Sequence, residues 1–576
     1  GKTMALPNVW GGGAAFAFSA LDGDNIYNEA ICANLLSDRL GLAFNTPVCA
    51  YLHIALKNVS DVIFEVVSSD LIKANIVDDS GIITAAEFIF VRQNTVLIRH
   101  SKAYRLVLEF DEKTEYIRKG NTEIYSAENG VFALYSEENE EYKISAFAYG
   151  KNAAEDAENA FTEEINREIS NKLDFFAKLP IVENVPKNIL SLFAKSFSVL
   201  KSLTFSPEGF FKGMWCTPSR IPNEKYTLFD AVLYADSMRY VSYDAAKQCL
   251  MSALDLQDEN GFIPGEGLYN YKGEAANPPV LAWGILRLFK AQGDISILSE
   301  SFDKLKKYLN YFIENRSAED KMLFEWKIKI SEVENRCEES RMDSSPRFDD
   351  ISKIYALDFS CYMANEAKAL SEIAEILGKS GEHLYWSVIY DRIKEAVNRY
   401  LYDEDDGFYY DRCANSDKLI KVKTPASFLP LFVGFCNKKR ADYIVTNHIF
   451  NTAEFFTPFP VPSLSKDDEK FDGGMWHGAA HPFYSYFVAL SLYDYGYKKE
   501  AHKIVCDTIS NITKWYENDG VIYEFYDSKS TVSPSKLRRK GDPLFAYIPS
   551  VKRPNVRDCG VSAAVYIQMI MMLYRQ

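Results

Sequence analysis

From residue 187 onward two kinds of connection alternate along the chain, and this alternation restricts the fold more than any other feature. Apolar residues recur at helical spacing over eleven segments: 187–204, 227–240, 244–256, 277–291, 301–315, 356–378, 384–401, 436–447, 481–496, 498–513 and 558–574. Met363, Ala367, Leu370, Ala374 and Leu377 step by four and three until Gly378 ends the helix, and Trp386, Ile389, Ile393, Val397 and Tyr400 start the next. Short links near 241–243, 292–300, 379–383 and 497 alternate with long ones at 205–226, 257–276, 316–355, 402–435, 448–480 and 514–557. The long stretches leave room for a twelfth helix. In a closed ring of helical hairpins every second connection lies on one face, so the long segments gather at one end. Connections of that length are uncommon in a compact domain unless they serve a function. The expected architecture is mainly α, an (α/α)6 toroid over 187–576 with a loop-built cleft at its mouth.

The first 150 residues read differently. "YRLVLEF" (104–110), "GVFALYSE" (130–137) and "KISAFAYG" (143–150) are short, aromatic or β-branched, and bounded by polar turns, which predicts an antiparallel β-sandwich over 1–150. Charge-rich helix formers at 153–178 predict a linking helix within a 151–186 linker region. "WGGGAAFAFSALDGDN" (10–25) is a candidate loop lent to the cleft, with Asp22 and Asp24 reaching hydroxyls, and a plain turn is the simpler alternative.

The bulk numbers exclude several functions. Asp plus Glu number 80 against 65 for Lys plus Arg, a formal charge of -15, so a polyanion is repelled and nucleic acid is not an expected partner. The ten Cys show no C-x-x-C spacing and the His number seven, which predicts free thiols and neither metal nor cofactor. A structural calcium on acidic loops stays open. With no run of eighteen apolar residues and no leader-like start, the expectation is a cytoplasmic protein away from membranes, although a start at Gly1 leaves room for a removed leader.

The long connection around "EESRMDSSPRFDD" (338–350) holds five carboxylates and two arginines with almost nothing to bury. Pro346 keeps the stretch extended, so Asp343 can project into a cleft, unless it is simply solvated. In "VIYEFYD" (521–527) Glu524 is the one Glu of an aromatic, β-branched run, where apolar surroundings disfavour its charged form; a structural Glu paired with Arg is the bland alternative. Two carboxylates on loops of one face are what acetal hydrolysis needs. Loop-borne Trp215, Tyr226, Trp476 and Tyr526 offer rings for stacking on sugar faces, although most aromatic residues are core. His477 and His481 stand among glycines beside Trp476, without a third metal ligand nearby.

"ESRMDSSPRF" resembles the E-S-G-x-D-[NF]-S-P/S-R signature of the inverting α/α-toroid glycoside hydrolases that include trehalase, processing α-glucosidase and the glucosylglycerate and mannosylglycerate hydrolases. "TLFDAVLYADS", "NPPVLAW", "LDFSCYMANEAKALSEIAEILGK", "GGMWHGAAHP", "YEFYD" and "DCGVSAA" resemble further segments of that family in the same order, over roughly 205–576. The resemblance implies Asp343 as general acid and Glu524 as general base, with Phe229, Asp230, Asn277 and Arg347 lining the terminal-sugar pocket; Arg347 could hydrogen-bond a sugar hydroxyl or hold Asp343 in position. It implies an α-glucosidase-like substrate. Departures fall where a sugar would be recognised: Arg341 for Gly, Ser344 for Asn, Asn277 for Gln, His477 for Arg, and Phe229, His481 and Val561 for Trp. Hydrolysis with inversion is the leading expectation and a carbohydrate the expected partner. A phosphorylase, an α-rhamnosidase or a polysaccharide lyase on the same ring, and a sugar-binding protein without catalysis, remain alternatives.

Overall fold

The computed structural model describes residues 14–162, 164–220, 225–318, 321–539 and 558–575. Two antiparallel sheets form the N-terminal part. One runs in spatial order Ala15–Ala17, Cys32–Leu35, Leu40–Phe44, Ala50–Ala55, Arg105–Phe110. The other runs Glu115–Lys119, Thr122–Ala127, Gly130–Glu138, Tyr142–Tyr149, Thr95–Ser101, Ile83–Arg92, Leu71–Asp78, Val59–Val67. Alternate side chains of each point inward, so that Leu40, Leu42 and Phe44 share one core with Ile72, Ala74, Phe88, Phe90 and Phe147. The 153–178 stretch forms two helices in place of one linking helix: α1 (Ala153–Phe161) and α2 (Ile165–Ala177). Ala153, Ala157 and Ala160 lay α1 on the outer face of the larger sheet, against Leu71, Ile89, Leu97 and Ala146.

The helices that follow are α3 (Lys187–Ser202), α4 (Leu228–Met238), α5 (Tyr243–Asp255), α6 (Leu281–Gln292), α7 (Ile295–Arg316), α8 (Leu357–Ile376), α9 (Ser380–Tyr400), α10 (Leu429–Phe432), α11 (Lys438–Ile444), α12 (Pro482–Asp494), α13 (Lys498–Asp519) and α14 (Gly560–Tyr574). Their sequences sort them into two layers. Every residue of α4 is buried, and α14 is buried around its circumference, whereas α9 hides only the stripe Trp386, Ile389, Ile393, Ala396 and Val397. Helices α4, α6, α8, α10, α12 and α14 pack each on the next, and α14 returns to α4. Around them α5 packs on α4, α7 on α6, α9 on α8, α13 on α12 and α3 on α14.

Local chemistry sets the short links. Gly293 and Gly378 take left-handed angles after α6 and α8, and Asp294 immediately caps α7. Helix α7 therefore starts six residues before the expected 301. The long connections all lead into N-termini of the inner helices, so their side chains meet at one face.

Three buried lysines join the sheets to the helices. Lys201 lies 2.8 Å from both Asp70 and Asp22, Lys172 lies 2.5 Å from Asp22, and Lys195 donates to Ser69 Oγ at 3.2 Å and lies 3.3 Å from Asp558. Burial opposes ionisation of Asp70, but Lys201 and Lys172 outweigh it and hold that carboxyl below its ordinary range.

Candidate active site

The segment 338–350 does not behave as a stretch with nothing to bury. Glu339 is buried and takes both arms of Arg316 at 2.9 and 2.7 Å, together with the backbone N–H groups of Ala276 and Lys327 at 3.0 and 2.8 Å. Desolvation opposes the charge on Glu339, yet the Arg316 guanidinium and those N–H groups hold its carboxyl below the ordinary value. This clamp fixes the backbone just ahead of Arg341, whose φ of 62° is left-handed, and of Asp343, which is half-buried.

Arg347 corrects an expectation. Its side chain is 1% exposed and donates four hydrogen bonds to carboxylates, to Asp358 at 2.7 and 2.8 Å and to Asp411 at 2.7 and 2.6 Å, and a fifth to Met342 Sδ at 3.5 Å. Enclosed by two carboxylates, it anchors the base of the Asp343 loop and does not line a sugar pocket.

Glu524 is the half-buried position of an otherwise buried run, Val521 to Ser528. The run is pinned on both sides. Tyr526 exchanges two backbone hydrogen bonds with Ala480, at 2.8 and 2.9 Å, while the N–H of Ile522 donates to Asp558 at 3.0 Å and its carbonyl accepts from Cys559 at 2.9 Å. Arg539 Nη1 lies 3.0 Å from Glu524 Oε2.

Asp230, in the first turn of α4, receives Arg341 Nη2 on both oxygens, at 2.7 and 2.9 Å. Burial pushes its carboxyl up to about 6, against the pull of Arg341 and with a further push from Glu524. The charges of Asp343 and Glu524 both bear on the Arg341 guanidinium and on the His481 imidazole. His481 is fully enclosed, stacked on Trp476 with ring centres 3.7 Å apart and planes 1° apart. Desolvation takes its pKa down to about 4. His481 Nε2 meets the Met475 carbonyl, and His477 Nε2 meets the Ser344 carbonyl at 3.1 Å, which draws the 471–481 loop onto the Asp343 loop.

Three buried polar atoms here have no hydrogen-bond partner among the described residues: Arg341 Nε, Ser344 Oγ and Trp476 Nε1. Buried polar groups are seldom left without partners. Behind Asp230 a cavity of about 10 Å³, bounded by Cys216, Thr217 and Gly560, admits a water at most.

Other expected ligands lie in the core. Trp215 is fully buried, stacked on Phe211 and Phe205, with its indole N–H on the Ser206 carbonyl. Tyr226 is buried and donates to the Cys249 carbonyl; Tyr526 is buried against Phe459 and accepts from the Tyr523 N–H. Phe229 packs among Tyr362, Phe483 and Phe487, and Asn277 Oδ1 accepts the Phe229 N–H at 3.2 Å, so this pair shapes the start of α4. Asp22 is held by Lys172 and Lys201 and borders a hollow of about 680 Å³ beside Gln93, Asn94 and Tyr149 on the sheet domain, with Asp24 on its rim. Residues 10–13 of the proposed loop lie outside the described residues. Sequence reasoning missed Arg539 and Asp558, whose partners are remote in the chain, and gave Arg341 no role.

Residues 226–532, just over half of the chain, match the model of the mannosylglycerate hydrolase MGH1-like glycoside hydrolase domain. The chain belongs to this family. That family is of the α/α-toroid glycoside hydrolase type, and the helical fold agrees. An uncharacterized protein of Borreliella burgdorferi is 26% identical over 278 residues, 45% of this chain and 56% of its own. The cytosolic neutral trehalase of Kluyveromyces lactis is 24% identical over 159 residues, 26% of this chain and 21% of its own. The chain thus spans between about a fifth and rather more than half the length of these curated relatives. Among solved structures, the mannosylglycerate hydrolase of Thermus thermophilus in complex with glucose superposes with a TM-score of 0.52 at 18% identity, covering 66% of this chain and all of that one. A bacterial glucoamylase complexed with acarbose gives 0.62 at 13% identity, covering 99% of this chain and 95% of the other. At these identities the likeness is one of fold. No described helix is long and apolar enough to cross a membrane.

Proposed function

We propose that this protein hydrolyses an α-glucosidic or closely related α-glycosidic bond with inversion, in a cleft at the mouth of an (α/α)6 ring whose inner wall is the circuit α4, α6, α8, α10, α12, α14. Asp343, in its acid form, passes a proton to the departing glycosidic oxygen. Glu524 takes a proton from water as that water's oxygen bonds to the anomeric carbon from the opposite face. The leaving alcohol carries the proton of Asp343, the sugar keeps the hydroxyl of the water, and Glu524 ends protonated.

One observation carries this reading: the 471–481 loop ties the two half-buried carboxylates' segments together, His477 Nε2 meeting the carbonyl of Ser344, next to Asp343, and Ala480 pairing with Tyr526, two residues beyond Glu524. Family membership supports hydrolysis, and the printed substrate of the Thermus neighbour puts glycosyl glycerates alongside α-disaccharides in the panel to be tried. Asp343→Asn and Glu524→Gln should each lower turnover at least ~100-fold while changing stability by less than about 1 kcal/mol. The anomer released by the native protein, followed by NMR, should be β from an α substrate. Wild-type turnover in either variant, or release of the α anomer, removes the mechanism.

A further inference from the structure

Arg341 is ion-paired with Asp230. Its side chain is 23% exposed against 5% for Asp230, so the guanidinium is the outer member of the pair and covers the carboxylate. Nη2 is spent on both Asp230 oxygens, Nε is buried without an acceptor, and Nη1 donates to no described residue. A φ of 62° is left-handed backbone that favours Gly, and Arg341 adopts it two residues beyond the clamped Glu339.

We propose that Arg341 is the residue that contacts the terminal sugar, and that Asp230 is its positioning residue and no direct sugar ligand. This rests on the cleft being a sugar site, as argued above. A guanidinium has donors and no acceptor, so the sugar must offer it an acceptor oxygen. The hydroxyl oxygen of a neutral sugar and the carboxylate oxygen of an acidic one both meet that demand.

Calorimetric titration of glucose, mannose, glucuronate and mannuronate into the native protein, Arg341→Gly, Asp230→Asn and the double variant separates the roles. Glycine accepts the left-handed angle freely, but the change strands the buried Asp230 carboxylate, so Arg341→Gly should melt below the native protein at neutral pH and the double variant, with no stranded charge, should recover most of that loss. Each single variant should weaken the best-bound sugar about 10- to 100-fold, the loss of one hydrogen bond to a charged donor. The double variant should be no weaker than Arg341→Gly, because Asp230 acts only through Arg341, and Arg341→Lys should recover part of the binding. Tighter binding of a uronate than of its hexose identifies an acidic sugar, and the reverse a neutral one. Native affinity in Arg341→Gly with loss in Asp230→Asn would make Asp230 the sugar ligand and overturn the proposal. Absence of binding by all four sugars to the native protein would overturn it as well. Dependence of turnover on Asp343 and Glu524 is measured separately, so the hydrolytic reading stands or falls on its own result.

Discussion

Replacing Arg347 by Met tests whether the floor of the Asp343 loop is held by charge. The substitution keeps much of the stem but leaves four hydrogen bonds of 2.6 to 2.8 Å unmade and strips the counter-ion from Asp358 and Asp411, which are 0% and 6% exposed. A hydrogen bond to a charged group is worth roughly 1.5–3 kcal/mol net, and the four are not additive. Removing one partner of a buried ion pair costs about 3–5 kcal/mol, and two stranded carboxylates place Arg347→Met at the upper end. The loss should depend on pH with a definite sign. Burial already holds the Asp411 carboxyl above its ordinary value against the pull of Arg347. Without that arginine the folded variant binds protons on carboxyls that the unfolded chain has released, so its stability falls as pH rises from about 4 toward neutrality. Urea denaturation of both proteins at pH 5 and 7.5, followed by circular dichroism, should show a deficit that widens at the higher pH. A variant as stable as the native protein, with weakened substrate affinity alone, would refute the burial argument and return Arg347 to the cleft.

His481 gives a second pH signature of known sign. Its pKa of about 4 lies below the unfolded value near 6.5, so the unfolded chain binds a proton first, and acidification through that window should cost up to about 3 kcal/mol. The stability of His481→Gln should vary less with pH there, and an imidazole that titrates near 6.5 by NMR would refute the burial. Asp558→Ala removes the acceptor for the Ile522 and Ala15 N–H groups, strands Lys195, and puts Ala at a φ of 64°; it should cost about 3–5 kcal/mol in a denaturant melt, with Asp558→Asn milder.

The helical wall was legible because each long helix repeats its own signal. The steps from Met363 to Leu377 and the stop at Gly378 belong to α8, and Trp386 to Val397 is the buried stripe of α9. Helix α10 escaped because it is four residues long, with Pro430 inside it and Gly434 two residues beyond. The site was only partly legible. Asp343 and Glu524 stand out against their immediate neighbours, but the fate of Arg347 depends on Asp358 and Asp411, and that of Trp215 on Phe205 and Phe211. Whether an aromatic ring in a long connection faces solvent or folds back into the core is a tertiary fact. A polar run such as 338–350 becomes interior when counter-charges arrive from elsewhere, and no local pattern announces their arrival.

Helix α14 touches α12 on one flank and α4 on the other, with α3 behind it. A ring keyed shut by one element has an order of assembly: a nascent chain halted short of residue 560 has both flanks of the gap bare, and these are among the most apolar surfaces it owns. Termination just before residue 560 should therefore yield an aggregating species, even though every residue proposed for chemistry has already been synthesised.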